Sequence, residues 1–287
     1  MSNPLVSVII TTYNRPNYLE ITINSVLNQT YKNLEILVFD DNTPGEVNQT
    51  ICTKFPNIYY EKLLKTGSPV KGRNKGIELC KGDFIAFLDD DDLWVEDKIE
   101  KQVEILKINL DFGLVHSPCT VIDSNGYVQP KIIGESFEWR NKHGDVSMQM
   151  LGNFTLMMPT PLIRKEILKK VGCFNEKMAV AGEDVEFWTR CSFETKFFYI
   201  NKPLAFYRVH ENNISKNKEG YINLALFLKD VLLKQKGCNK INSAQYKLLL
   251  RNCIKMQKRY KGEDFYKTMI NLFRLDIFWF LKKSRKI

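Results

Sequence analysis

Four consecutive aspartates, Asp89, Asp90, Asp91 and Asp92, follow the apolar run Phe84, Ile85, Ala86, Phe87, Leu88 and precede Leu93 and Trp94. Like charges a few Å apart repel by roughly 1 kcal/mol or more even when solvated, so a strand ending in such a cluster needs a cation nearby. The compensator that fits is a divalent metal carrying a phosphorylated ligand. Two further polar groups follow apolar runs in the same way: Thr11, Thr12, Tyr13, Asn14, Arg15, and Asp40, Asp41, Asn42. If those runs are strands of an open α/β sheet, all three clusters lie beyond carboxyl ends, where such sheets bind ligands, and line one cleft. Neither GxGxxG nor GxxxxGK[ST] occurs. Phosphate is therefore not held by the backbone amides of those loops, and a metal on the aspartates takes that part.

The elements that must position these residues read as follows. Residues 5–12 and 34–39 are near-continuous β-branched apolar runs, the pattern of strands buried on both faces of a parallel sheet. Leu19, Ile23, Val26 and Leu27 recur at helical spacing within 17–30, which completes a βαβ unit. Residues 57–61 read as a third strand, 71–80 as a helix ended by Gly82, 83–88 as a fourth strand and 94–108 as an amphipathic helix. Residues 112–122 read as one strand, joined to Tyr127 and Val128 in a hairpin through Ser124, Asn125 and Gly126. Short helices at 146–151, 165–171 and 184–193 alternate with short strands at 155–158, 196–200 and 204–208. The fold class is α/β, a mixed, mainly parallel sheet flanked by helices.

Composition suits a globular domain: 287 residues, 44% hydrophobic and 26% charged. Seven cysteines with no CxxC spacing and an odd count argue against a zinc site and a disulfide framework, and suit a reducing cytoplasm. The first residues enter an apolar run at once and read as a strand, not a secretion signal. No apolar stretch approaches the roughly 20 residues of a spanning helix. The net charge of +9 is uneven: from residue 231 onward fifteen cations face three anions, +12 there against −3 in the remainder. That marks a segment boundary. Residues 221–287 read as two or three basic amphipathic helices, the last with Phe278, Trp279 and Phe280, suited to an anionic membrane surface. The plainer alternative is packing on the domain or on a second copy in a homodimer. No motif supports nucleic acid as a partner.

SVIITTYNRP, LNQTYKNLEILVFDDN, KGRNKG, GDFIAFLDDDD and AGEDVEFW occur in that order over roughly residues 5–210, and together they resemble the family-two glycosyltransferases, inverting nucleotide-sugar enzymes of the GT-A fold. The resemblance implies a glycosyltransferase domain over 1–220, with a nucleotide-binding half at 1–110 and an acceptor-side half at 111–220, and leaves 221–287 outside it. It implies that Thr11 and Tyr13 contact the nucleotide, that Asp41 accepts a hydrogen bond from the base, and that Arg73 and Asn74 lie near the pyrophosphate and ribose. Asp89 and Asp91 correspond to the outer members of the DxD motif, with Asp90 between them and Asp92 added, so the register of ligation is open by one residue. Asp91 is the residue expected to touch a Mn²⁺ or Mg²⁺ ion, and His210, in a stretch resembling YRxH, is a second ligand. Asp184 corresponds to the general base, with Glu183 as its fallback, and the turn around Phe174 to acceptor-side scaffold.

Chemistry supports the same roles. A departing nucleoside diphosphate gains negative charge that a divalent ion stabilises, and inversion needs a base on the opposite face of the sugar. Each feature also has a structural reading: Asp92 as a cap for the following helix, Asp40 and Asp41 as a turn, Asp184 as a charge opening a helix, His210 as a structural histidine, and Trp94 and Trp188 as packing. The expected activity is metal-dependent transfer of a sugar from a nucleoside diphosphate donor, UDP-linked for preference, to a hydroxyl of a lipid-linked glycan in bacterial surface polysaccharide synthesis, in the cytoplasm or on the inner face of the membrane. The alternatives are a nucleotidyltransferase, which would need a phosphate loop richer in cations than Asn14, Arg15, Pro16, and a non-catalytic glycan or membrane scaffold.

Overall fold

The computed structural model describes residues 3–257 apart from 153, 179, 180, 217 and 222. The first apolar run forms β1 (Val6–Thr12), Pro16 opens α1 (Pro16–Leu27), and the second run forms β2 (Leu34–Asp40), parallel to β1. Proline suits a first helical position because its fixed φ is helical and its missing N–H would have no partner there. After α2 (Val47–Thr53) and β3 (Ile58–Lys62), α3 (Val70–Leu79) returns the chain to β4 (Phe84–Asp89), which pairs with β1 on the side away from β2. Strand order thus reverses between β1 and β4, and the crevice beyond their carboxyl ends is the ligand position of such sheets.

There follow β5 (Leu93–Trp94), α4 (Lys98–Ile108), β6 (Phe112–His116), the hairpin of β7 (Cys119–Ile122) and β8 (Val128–Ile133), then β9 (Leu162–Arg164), α5 (Lys165–Val171), α6 (Glu183–Ser192), β10 (Lys196–Tyr199) and β11 (Ala205–Arg208). The helices α7 (Leu224–Gly237) and α8 (Ser243–Gln257) complete the described chain. Seven strands form one sheet in the order β10-β6-β9-β4-β1-β2-β3, mainly parallel with β9 antiparallel to both neighbours. A second sheet runs β5-β11-β7-β8.

All of β1 is buried, and the period of two divides its side chains between two cores. Val6, Val8 and Ile10 pack with Leu19, Ile23 and Val26 of α1, while Ile9 joins Val70 of α3 and Phe187 and Trp188 of α6. α3 lies close to the sheet because two of its residues are glycines. A Cβ at Gly76 would sit 2.5 Å from Ile9 Cγ2, and one at Gly72 would sit 2.9 Å from Thr11 Cγ2. Gly76→Ala is therefore expected to lose about 1–3 kcal/mol of stability by overpacking, read by chemical denaturation.

Several sequence-based expectations are corrected. Residues 112–122 are two strands in different sheets, because Pro118 cannot continue a central ladder. Residues 155–158 pair with no strand, and 146–151 form turns, although Leu156, Met158, Val146 and Met150 are buried as an apolar pattern requires. The helix expected at 94–108 begins at Lys98 with Asp97 as its N-cap residue, and Trp94 belongs to β5. Asp92 is therefore no helix cap; its Oδ1 accepts from the Arg208 backbone N–H at 2.9 Å. β9 and α2 were not anticipated: three residues of strand and a helix of VNQTICT carry little periodicity.

The apolar faces of the last two helices meet each other. Leu224, Leu228 and Leu232 of α7 cluster with Leu249, Leu250 and Cys253 of α8 and with Leu151 and Met178. This is the packing alternative for α7 and α8, and it leaves Lys234, Lys236, Lys247 and Lys255 exposed. The third basic stretch, residues 265–281, lies outside the described residues. Among the described residues no helix is long and apolar enough to cross a membrane.

Candidate active site

The loops beyond β1, β2 and β4 and the start of α6 converge on a cavity of about 540 Å³ lined by, among others, Thr11, Tyr13, Asp41, Arg73, Asp91 and Asp184. Two asparagines turn the chain at the exits of β1 and β2. Asn14 and Asn42 take φ of 53° and 68°, left-handed values that asparagine tolerates because its short amide bonds locally. Asp40 is fully buried under this turn, accepting from Thr43 N–H at 2.7 Å, Asn48 Nδ2 at 3.0 Å and Tyr60 Oη at 2.9 Å.

The four aspartates separate into different duties. Asp90 is buried and accepts from Thr12 Oγ1 at 2.7 Å, the Tyr13 backbone N–H at 3.1 Å and Arg15 Nη1 at 2.8 Å, so it ties the β1 exit to β4. Burial and the adjacent Asp91 push its carboxyl up against the pull of Arg15. Asp92, also buried, anchors β11. All four border the cavity. Asp89 Oδ1 accepts from Thr11 Oγ1 at 3.1 Å and Arg73 Nη2 at 2.7 Å, and Asp91 Oδ2 accepts from Arg15 Nη1 at 2.6 Å and meets His210 Nε2 at 2.9 Å. β4 ends at Asp89, and the turn that follows, closed by Asp92 N–H to Asp89 O at 3.2 Å, gives each of the next three aspartates different partners.

These donors suit a divalent ion. No described residue hydrogen-bonds to Asp89 Oδ2 or Asp91 Oδ1, so each carboxylate keeps an oxygen that could serve such an ion. Among the described residues no group of three or more His, Cys, Asp or Glu stands ready to enclose a metal. A shell would therefore need phosphate oxygens and water as well, the usual arrangement for such ions at phosphate sites. His210 Nδ1 accepts from the Asn212 backbone N–H at 3.2 Å, so in the neutral ring the hydrogen sits on Nε2 and is donated to Asp91. In this arrangement His210 orients Asp91. It ligates through Nε2 only with that hydrogen moved to Nδ1 and the Asn212 contact given up.

Arg73 joins the two acidic motifs. Its side chain is 4% exposed; Nη2 binds Asp89 and Nη1 binds Glu183 Oε1 at 2.8 Å. Glu183 is thereby paired, and burial with the neighbouring Asp184 pushes its carboxyl up despite Arg73. Asp184 is the open member: Oδ1 accepts from the Val185 N–H at 2.8 Å at the start of α6, and Oδ2 carries no bond to a described residue. Burial and Asp89 raise its carboxyl above the ordinary range while Arg73 and the helix N–H groups pull it down. Of the pair, Asp184 is placed to take a proton.

Asn74 is turned from the cavity. Its amide exchanges hydrogen bonds with Phe174 N–H at 2.8 Å and Phe174 O at 3.0 Å, so it holds the Phe174 turn. Phe174 stacks on Phe187 with ring centres 3.9 Å apart. Trp94 and Trp188 are buried packing residues. Arg15 bridging Asp90 and Asp91, and the loop donors to Asp41, were not anticipated; the single cation in YNRP was the available signal for the first.

The mainly parallel sheet with its ligand crevice at the strand reversal defines a GT-A architecture. Among solved structures, S. aureus TarS 1-349 in complex with UDP-GlcNAc aligns with a TM-score of 0.67 at 18% identity, covering 95% of this chain and 76% of that one. The mannosyltransferase PcManGT from Pyrobaculum calidifontis in complex with GDP-Man and Mn²⁺ aligns with a TM-score of 0.61 at 14% identity, covering 97% and 82%. Residues 7–172 match the family described as Glycosyl transferase family 2, and the chain belongs to that family of inverting glycosyltransferases. An uncharacterized glycosyltransferase of Methanocaldococcus jannaschii is 29% identical over 84% of each chain. One from Rickettsia bellii is 32% identical over 78% of this chain, which spans only 32% of that longer protein. The Campylobacter jejuni GalNAc(5)-diNAcBac-PP-undecaprenol beta-1,3-glucosyltransferase is 29% identical, with 90% of this chain and 85% of that protein covered.

Proposed function

We propose that this glycosyltransferase moves a sugar from a UDP-sugar to a hydroxyl of a lipid-linked glycan, with Asp184 as general base and Asp91, with His210, as the protein's hold on a Mn²⁺ or Mg²⁺ ion. The observation that carries the reading is the common cavity: Asp184 and Asp91 both line it, His210 backs Asp91 from behind at 2.9 Å, and Arg73 bridges Glu183 and Asp89 within it. Bound there, the ion would neutralise charge on the departing diphosphate. Thr11, Tyr13 and Asp41 line the part of the cavity that takes the nucleoside, and Arg73 fixes Asp89 beside it. Asp184 accepts the proton of the acceptor hydroxyl as the oxygen attacks the anomeric carbon from the face opposite the diphosphate. Asp90 acts through the loop it holds, not by contact.

The undecaprenol-linked substrate in the Campylobacter name supports a lipid-linked acceptor, and the basic segment 221–287 supports a place on the inner face of a membrane, through its cations and residues 258–287. Residues 1–220 would then hold the catalytic domain. A nucleotidyltransferase is disfavoured because Arg15, the one cation of the β1 exit, is already engaged by Asp90 and Asp91.

A thermal-shift comparison of UDP-sugars with and without Mn²⁺ tests this. A ligand at a hundredfold excess over its Kd adds about 2.7 kcal/mol of apparent stability. The expected result is a metal-dependent shift that Asp91→Asn abolishes. A protein that responds to no nucleotide sugar, or equally with and without metal and in the variant, overturns the reading or its metal part respectively.

A further inference from the structure

Asp41, the residue aimed at the base, already has partners. Oδ1 accepts from the Thr66 backbone N–H at 2.7 Å and from Thr66 Oγ1 at 2.8 Å, and Oδ2 accepts from the Gly67 N–H at 2.7 Å. The single hydroxyl hydrogen of Thr66 has Ser68 O within reach at 3.0 Å, but the carboxylate is nearer and, being charged, is the stronger acceptor. Gly67, with φ of 72°, allows both backbone N–H groups to converge on one carboxylate. The same loop between β3 and α3 is tied a second time, by Lys65 Nζ to Tyr13 Oη at 2.6 Å. Its residues Leu63, Gly67, Ser68 and Pro69 line the same cavity as Tyr13.

An ionised carboxylate offers about four lone-pair positions. Oδ1 uses both of its positions on Thr66, and Oδ2 keeps one beyond Gly67. Uracil and thymine present a single imide N–H between two carbonyls and need one acceptor. Guanine presents N1–H and an N2 amine hydrogen side by side and needs an open position on both oxygens. Cytosine and adenine present an unprotonated ring nitrogen at that place, which a carboxylate repels. We propose that the Thr66–Gly67 loop sets the base preference of this site by occupying three of Asp41's four acceptor positions, admitting uridine or thymidine diphosphates and disfavouring guanosine diphosphates. The inference rests on the nucleotide-sugar reading above and narrows it.

The test is calorimetric titration of UDP, dTDP and GDP, each with Mn²⁺, into the wild type and into Thr66→Val, Thr66→Ala and Thr66→Ser. The wild type is expected to bind UDP and dTDP about tenfold or more tighter than GDP, the effect of one donor left unpaired. Thr66→Ala removes both the donor and its volume, frees a position on Oδ1 and narrows that ratio about fivefold or more, mainly through tighter GDP; Thr66→Val, which keeps a methyl in that place, narrows it less, and Thr66→Ser, which keeps the hydroxyl, retains the wild-type ratio. Equal binding of UDP and GDP by the wild type, or an unchanged ratio in folded Thr66→Ala, overturns the loop's role while leaving the nucleotide-sugar reading in place. Failure of the wild type to bind any of the three removes that reading, and the inference with it.

Discussion

Replacing Asp184 with asparagine is expected to lower kcat by about a thousandfold, within the range that a positioned general base contributes, with little change in the Kd for UDP. The expectation follows from which carboxylate is open. Glu183 is held by Arg73 at 2.8 Å, whereas Asp184, among the described residues, is bonded only to the first turn of α6 and lines the cavity. A base must be unprotonated to act. Burial raises the Asp184 carboxyl, with Asp89 adding to the effect, so kcat/KM should fall as pH drops through a value above the ordinary carboxylate range, and that acid limb should vanish in Asp184→Asn. Initial rates across pH in the two proteins check this. If Glu183→Gln were the inactive variant and Asp184→Asn kept its rate, the assignment would be reversed.

Arg73→Met is expected to be the most damaging substitution in the site. Arg73 is almost fully buried and carries the charges of Asp89 and Glu183. Removing one partner of a buried ionic group leaves the other uncompensated, a loss of about 3–5 kcal/mol, which falls mainly on Glu183 because the Asp89 side chain is 31% exposed and keeps part of its hydration. Denaturant titration should show that loss, and nucleotide binding should weaken with it because Asp89 is no longer fixed beside Thr11. Adding Glu183→Gln removes one of the stranded charges and should recover part of the stability without recovering activity. A fully stable, fully active Arg73→Met would mean that the bridge has no role.

Much of this was legible before any tertiary structure. β1, β2 and β4 were readable as apolar runs buried on two faces, and the polar clusters that leave them could be assigned to one cleft because the carboxyl ends of parallel strands share an edge. Elements defined by their surroundings were less readable. β9 has three residues and is a strand because β4 and β6 flank it, and residues 112–122 divide because Pro118 sends the chain to a second sheet. α7 and α8 showed amphipathic faces, but the periodicity that marks an apolar stripe is the same whether the stripe meets lipid or another helix.

The amino-acid order alone determined the α/β class, the gathering of Thr11, Tyr13, Asp41 and Asp89 to Asp92 at one end of the sheet, and an acidic pair at the head of a later helix, because local periodicity and strand direction follow from neighbours in the chain; Arg73 was placed there by the family resemblance. Only the folded structure decided which carboxylates are paired and which are left open. Asp90 and Asp92 are buried under hydrogen bonds while Asp91 faces His210; Glu183 is paired while Asp184 is open; Asp41 is filled by Thr66 and Gly67. The physical reason is that a carboxylate's role depends on its burial and on the donors around it, and those donors come from residues as far as 119 positions away along the chain.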